Sequence, residues 1–401
     1  MKRIIMALLL CASAAVLANE FPLTHAQQKQ LQSAFPNTTL TDSQINTLRD
    51  VFYSHDQPVR ARVKAMSQMI GLDQMPPGER LHRRICIWDI VGRNGPVFTA
   101  AMEQRALALE YGVNLEMVPY TNESIMVDEF KSGRCDAALM SGLRARLFNL
   151  YTGTVDAIGA VPSQDHMRLL LQVLSHPRQA GKMVSGDYVV MGIFPAGAAH
   201  IFVNDRSIST LANAAGKKVA VLDYDPTQAN MVASIGATPI STDIVSAPNK
   251  FNNGVVDILA APLIAYEPLE LYKGMGDNGG IVEYPLTQLT MQLLGRKDKF
   301  PNEVAQLIRE AVFENYDMVV KRLEQEAKRV PNHWWIPISK KEQREYEVMM
   351  ESARIALRDQ NYYDADMLSL QNRVRCKVDA SRPECVNGRE RNEPSEKEAK
   401  K

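Results

Sequence analysis

Between Arg84 and Gly142, apolar runs and turn residues alternate so closely that a strand–helix–strand–helix–strand unit is the arrangement that accommodates them. Ile85 to Val91 is apolar nearly throughout rather than alternating, as a strand covered on both faces should be. Gly92 to Pro96 interrupts it. From Val97 to Tyr111, Phe98, Ala101, Met102, Ala106, Leu107 and Leu109 supply the stripe of one helix, broken by Glu103, Gln104 and Arg105. Val113 to Val118 is a second strand and Ser124 to Ser132 a short helix closing on Gly133. Cys135 to Met140 is a third strand, ending at Ser141-Gly142. Two successive crossovers of this kind imply a parallel sheet with right-handed connections.

Ligands of such sheets bind beyond the carboxyl ends of the strands, which points to Gly92–Gly95, Tyr120–Glu123 and Ser141–Arg144. The turn Phe130-Lys131-Ser132-Gly133-Arg134-Cys135-Asp136 resembles the Phe-x-x-Gly-x-x-Asp turn of the solute receptors of TRAP (tripartite ATP-independent periplasmic) transporters. The second half carries the same resemblance in a colinear set. It contains Ser207-Ile208, Thr210-Leu211 with Gly216-Lys217-Lys218, then Gly236-Ala237-Thr238-Pro239, Gly254-Val255-Val256-Asp257 with Pro262, and Phe300-Pro301-Asn302-Glu303-Val304. Around these motifs, Gly186–Phe194, His200–Val203, Lys218–Leu222, Thr238–Ile240 and Leu286–Gly295 read as strands, while Ser209–Ala215 and Thr227–Ser234 read as helices.

The resemblance covers roughly residues 83–330. It implies an α/β, two-lobed periplasmic-binding-protein-like fold of type II with parallel-sheet lobes, lobe 1 at 83–195 and lobe 2 at 196–295. Long helices at 300–372 are expected to brace both lobes, helices at Glu303–Arg329 and Glu342–Arg358 flanking Trp334-Trp335-Ile336-Pro337. The expected activity is capture of a small molecule between the lobes and its presentation to membrane transporter subunits, by a monomer that is not an enzyme. The alternative is an exported binding or sensor module of the envelope with no transport role.

Departures from the family pattern bear on the ligand. Where the family's strand after Gly-Lys-Lys holds an arginine that clamps a substrate carboxylate, this chain has Ala220, and a polar Gln-Glu-Asn is replaced by Leu259-Ala260-Ala261. A further family arginine has no counterpart between Gly197 and His200. A carboxylate taken out of water needs a partner. Arg93 and Arg144 are the candidate replacements. The expected ligand is therefore atypical for the family, larger or less charged than the usual small organic acids. The expected ligand-contacting residues, each ending or following a strand, are Asp89, Arg93, Asn94, Tyr120, Asn122, Ser141, Arg144, Tyr224, Asp225 and Tyr266.

The chain ends frame this core. Met1-Lys2-Arg3, the apolar Ile4–Leu10 and the small residues up to Ala18 form a secretory signal expected at 1–18, placing the protein in the periplasm. Residues 19–80 read as a helical extension, with helices at Thr24–Ala34, Thr41–His55 and Val59–Ile70. The end, 373–401, reads as a cysteine-containing tail, disordered from Gly388 where apolar residues run out. Equal numbers of basic and acidic residues, 46 each, with no basic stripe, argue against a nucleic-acid partner.

Beyond the signal, four cysteines remain, allowing three pairings. Cys86 and Cys135 fall on neighbouring strands, and Cys376 and Cys385 flank a short loop, which favours Cys86–Cys135 with Cys376–Cys385. Buried free thiols are the alternative for the strand pair. No cofactor or metal is expected. Gly274-Met275-Gly276-Asp277-Asn278-Gly279 has dinucleotide-loop spacing but is followed by the strand-like Ile281–Tyr284 rather than a helix. His200, on an apolar strand, reads as a hydrogen-bonded core residue.

Overall fold

The computed structural model describes residues 24–35, 40–53, 57–382 and 384–391. The secretory signal expected at 1–18 and the last ten residues of the tail, 392–401, lie outside the described residues. Eleven strands are described: β1 (Leu81–Trp88), β2 (Val113–Tyr120), β3 (Ala137–Ser141), β4 (Val184–Ser185), β5 (Tyr188–Val203) and β6 (Lys218–Leu222) come first. They are followed by β7 (Thr238–Thr242), β8 (Ile258–Pro262), β9 (Gly280–Val282), β10 (Thr287–Arg296) and β11 (Trp335–Ile336). The chain forms two compact units. The first takes the residues up to Met140 with Ser175–Gly192 and Leu293–Glu314; the second takes Ser141–Leu174, Ile193–Gln292 and the chain from Asn315 onward.

In the first unit, β1 is central and pairs in parallel with β2 (Ile85 opposite Met117) and with β3 (Ile85 opposite Ala137). Ile85, Cys86 and Ile87 are buried in succession, so both faces of β1 are covered there and the run needs no polar alternation. Cys86 lies in β1 and Cys135 two residues before β3; their disulfide joins them with Cα atoms 5.8 Å apart. The expected single helix at 97–111 is broken at Glu103 into Pro96–Met102 and Gln104–Glu110.

The amino-terminal helices His25–Ala34, Asp42–Tyr53 and Val59–Met69 form their own core from Leu31, Phe35, Leu48, Phe52, Met66 and Ile70. Each fully buried large side chain there contributes roughly 1.5–3 kcal/mol. Leu307, from the helix Asn302–Glu314, completes this core. Arg62 is buried with them, donating to the Phe52 carbonyl and to the Glu310 carboxylate. The stretch read from the sequence as one helix over Glu303–Arg329 is interrupted at Asn315, and its second part, Tyr316–Ala327, belongs to the second unit.

In the second unit the sheet order is β5-β8-β6-β7. β6 pairs in parallel with β7 and β8, whereas β5 runs antiparallel to β8, so the sheet is mixed rather than wholly parallel. Gly186–Phe194 and His200–Val203 were expected as separate strands, but the chain stays extended through Pro195 and Gly197, the latter at φ 91°, so no helix intervenes to reverse its direction. Phe202, Phe251, Leu259, Leu271 and Ile281 form the core under this sheet. A satellite core of Ala157, Ala160, Leu357, Tyr363 and Leu368 involves the carboxy-terminal helices Lys340–Asp359 and Ala365–Val378. The second disulfide, Cys376–Cys385, forms the other half of the favoured pairing.

The expectation of disorder from Gly388 fails for residues 388–391. Glu390 is 1% exposed, because two buried arginines, Arg354 and Arg375, hold its carboxylate. Composition alone signals solvation there, and a specific ion pair overrides it.

Candidate ligand-binding site

The ten strand-end residues divide by role once their hydrogen bonds are known. In the first unit, Asp89 is 2% exposed, and its carboxylate accepts the backbone N–H groups of Val91 (2.9 Å), Val97 (2.8 Å) and Phe98 (3.0 Å). It closes the β1 turn and caps the helix that follows. Any side chain at Gly95 would collide with that carboxylate, so the glycine is part of the same device. Asn122 caps the helix Glu123–Lys131 by accepting the Ile125 N–H at 3.1 Å. Tyr120 ends β2 half-buried, and Arg93 and Asn94 are exposed in the turn Gly92–Asn94. Asp89→Ala is expected to cost about 2–3 kcal/mol of stability, because three donors lose a charged acceptor in a buried turn. Urea unfolding measures this; an unchanged midpoint would contradict the capping role.

The second unit brings its residues together more closely. Ser141 ends β3 and accepts the Arg144 N–H at 3.3 Å, starting the turn Gly142–Ala145. Arg144 then lies with its guanidinium 3.6 Å from the centre of the Tyr224 ring, and Arg146 lies 4.4 Å from Tyr362 and 5.1 Å from Tyr363. Arg146 also donates through Nε and Nη2 to the Gly153 carbonyl, at 3.3 and 3.2 Å. A planar cation over an aromatic face is held electrostatically and by dispersion, and half-burial strengthens it. Asp225 caps the helix Pro226–Ser234, accepting the Thr227 and Gln228 N–H groups and the Thr227 hydroxyl. Burial pushes the Tyr362 hydroxyl above its ordinary value, opposed by the Arg146 charge and reinforced by that of Asp225. Two arginines, two strand ends and a carboxy-terminal tyrosine pair thus form one network.

Beneath the Arg144–Arg146 turn lies Asp156, 3% exposed. Its carboxylate accepts the Thr290 hydroxyl at 2.5 Å and the Thr290 N–H at 3.1 Å. Gln292 donates to the same hydroxyl and to the Thr152 carbonyl. A side chain at Gly142 would strike both Asp156 and Thr290, so the turn rests directly on them. Burial pushes the Asp156 carboxyl up to about 7, against Thr290 and the Arg146 charge, which pull it down.

Tyr266 and the paired tryptophans serve the core. Tyr266 is 7% exposed and accepts the Trp334 indole N–H at 2.9 Å, while Trp335 meets His200 edge-on at 5.3 Å. His200 hydrogen-bonds the Val282 carbonyl, and burial lowers its pKa. Leu259 and Ala261 are 4% and 8% exposed in that core, with Ala220 packed against it. These apolar replacements therefore fill the interior of the second unit. Of the ten residues, Ser141, Arg144, Tyr224 and Asp225 converge. Arg146, Asp156, Tyr362 and Tyr363 were not anticipated; the closest signal was the Arg144-x-Arg146 repeat after Ser141-Gly142.

Among the described residues no His, Cys, Asp or Glu cluster could hold a metal ion, and no helix is long and apolar enough to cross a membrane.

The chain is similar to known proteins in sequence and in fold. A family model for solute-binding proteins AdeT 1/2 matches residues 56–390. The probable solute-binding protein AdeT1 of Acinetobacter baumannii is 40% identical over 300 residues, covering 75% of this chain and 99% of that protein. Among solved structures, a TRAP periplasmic solute-binding protein from Desulfovibrio salexigens with bound orotic acid superposes with a TM-score of 0.63 at 17% identity. It covers 75% of this chain and 100% of its own. A TRAP solute-binding protein from Shewanella oneidensis with bound succinate gives 0.61 at 12%, covering 74% and 99%. At these identities the structures show the fold, which is the two-lobed type II architecture of TRAP receptors.

Proposed function

The chain belongs to the AdeT 1/2 family of solute-binding proteins, and from that premise we propose that it captures a small solute and delivers it to membrane transporter subunits. In this reading the solute is recognised in the second unit by Arg144 and Arg146, with Tyr224 and Tyr362 as the rings that hold them flat. The observation that carries the reading is the pair of guanidinium–tyrosine stacks at the ends of β3 and β6. That end of an α/β sheet is where ligands bind. Ser141, Asp225 and Asp156 set the positions of those arginines.

The solute we propose is flat and unsaturated, with one acidic or acceptor edge. A ring extends a stack that tyrosine and guanidinium have already begun, while the edge meets the arginines' donors. A flexible dicarboxylate gains nothing from the stack, and the usual clamp position is Ala220. Orotic acid in the Desulfovibrio relative is a solute of the flat kind.

The protein acts in the periplasm after removal of the signal at 1–18. Two disulfides in one chain support an oxidising compartment. Cell fractionation checks this location, and loss of uptake of the identified solute on deletion separates a transport role from a sensor role.

Calorimetry against orotate and 3-hydroxybenzoate, beside succinate, sialic acid and 2-oxo acids, tests the reading. The flat acids are expected to bind best. Arg144→Ala is expected to weaken them about ten- to a hundredfold, the loss of a charge-assisted hydrogen-bonding group. Micromolar succinate binding that survives Arg144→Ala would falsify the assignment of both solute and site.

A further inference from the structure

The stretch 379–391 has almost nothing apolar to hold it. Val378, which leads into it, is 46% exposed, and Val386 is 88% exposed. Yet it delivers two acids to the interior of the second unit. The Glu390 carboxylate receives Arg354 Nε on one oxygen and Arg375 Nη2 on the other. Glu384 receives Arg375 Nε at 3.3 Å and Arg382 Nε at 2.6 Å. The Arg354 and Arg375 side chains are 2% and 0% exposed. Both also donate to main-chain carbonyls, Arg354 to Ile158 and Arg375 to Ala160, both at a fixed turn of the satellite core. The arginines sit on the helices Lys340–Asp359 and Ala365–Val378, whereas their neutralising acids come only after the chain has passed Cys376.

The Cys376–Cys385 disulfide ties the second helix to the stretch that carries those acids. It spans nine positions, with Glu384 inside the ring and Glu390 five residues beyond it. Both of its cysteines are half-buried, while Cys86 and Cys135 are each 0% exposed, so a reductant reaches Cys376–Cys385 first. Closing a ring of this length favours the ordered tail by roughly a hundredfold through loop entropy.

We propose that Cys376–Cys385 is a redox-operated latch. Oxidised, it holds Glu384 and Glu390 over Arg375 and Arg354. Reduced, it lets the tail leave and strands two buried guanidinium charges, so the second unit loosens. The two thiols give up two protons and two electrons to the disulfide of a thiol–disulfide exchange partner, which becomes a dithiol as the S–S bond forms here. A chain kept reduced before export thus stays loosely folded, and locks on reaching an oxidising compartment.

The test uses the mature chain with Cys86–Cys135 intact. Mild dithiothreitol, followed by alkylation and mass spectrometry, establishes that only Cys376 and Cys385 are free. Hydrogen exchange over 379–391 is then expected to accelerate at least tenfold, with Tm several degrees lower; the Cys376→Ser/Cys385→Ser pair should behave the same way. Glu390→Gln added to that serine pair is expected to lower Tm by less than a third of what it does in the oxidised chain, because the tail has already left. Protection of 379–391 that survives reduction, or Tm losses that simply add, overturns the latch. Should Glu390→Gln not accumulate as folded protein, Glu384→Gln takes its place and is read in the same way.

Discussion

Glu390→Ala is expected to destabilise the second unit by about 3–5 kcal/mol, lowering its Tm by about 6–20 °C. Glu390 serves two arginines at once, and its removal leaves both charges buried. Burial alone raises this carboxyl, yet the Arg354 and Arg375 charges bring it below its ordinary value, so it stays ionised near neutrality. Burial and the neighbouring Arg354 push Arg375 down to about 10, which still leaves it charged at neutral pH. The loss measures the stranded arginines rather than the worth of the ion cluster. For that reason the triple replacement Glu390→Leu, Arg354→Met, Arg375→Leu is expected to recover most of the stability, as apolar groups of similar volume often match a buried ion cluster. Calorimetric scans of the single and triple variants decide it: a triple variant less stable than Glu390→Ala would show that the charges themselves hold the fold.

Asp156 yields the second large effect, and it depends on pH. Its carboxyl is raised to about 7 in the folded protein, against an ordinary value of 3.8. Between those values the folded state holds a proton that the unfolded chain has released. Stability therefore falls as pH rises through this window, by about 1.4 kcal/mol per unit and on the order of 4 kcal/mol in all. This contribution is fully present below pH 4 and gone above pH 7. Asp156→Asn keeps the Thr290 contacts without the charge, so it is expected to leave stability at pH 5 nearly unchanged and to raise it at pH 8. Urea unfolding of both proteins at the two pH values reads the difference; parallel pH profiles would refute the assignment. The turn carrying Arg144 and Arg146 rests on Asp156, so solute affinity is expected to weaken on the same side of the titration.

Much of the architecture was legible in the residue order. The β1–β3 unit follows from apolar runs punctuated by Gly92, Gly133 and Gly142, and strand adjacency and a short loop favoured the two disulfides that form. Breaks at Glu103 and Asn315 were not legible, since helical periodicity continues across each of them. Of the ten residues expected at strand ends, Asp89, Asn122, Ser141 and Asp225 cap the helix or turn that follows. In an α/β unit a strand end lies one turn from a helix amino terminus, and its orphan N–H groups compete with any ligand for the same Asp, Asn and Ser side chains.

The sequence by itself determined the α/β class and the solute-receptor family, and it favoured Cys86–Cys135 with Cys376–Cys385 over the other pairings. Those features are set by periodicity and by motifs within short windows of chain. Only the tertiary structure decided that Leu259 and Ala261 are core, that Arg146 rests on Tyr362 and Tyr363, and that Thr290 reaches Asp156 from 134 residues away. It also decided that a charged tail closes over Arg354 and Arg375. Polar and charged side chains take their roles from the partners that desolvate them, and those partners come together only when distant segments pack.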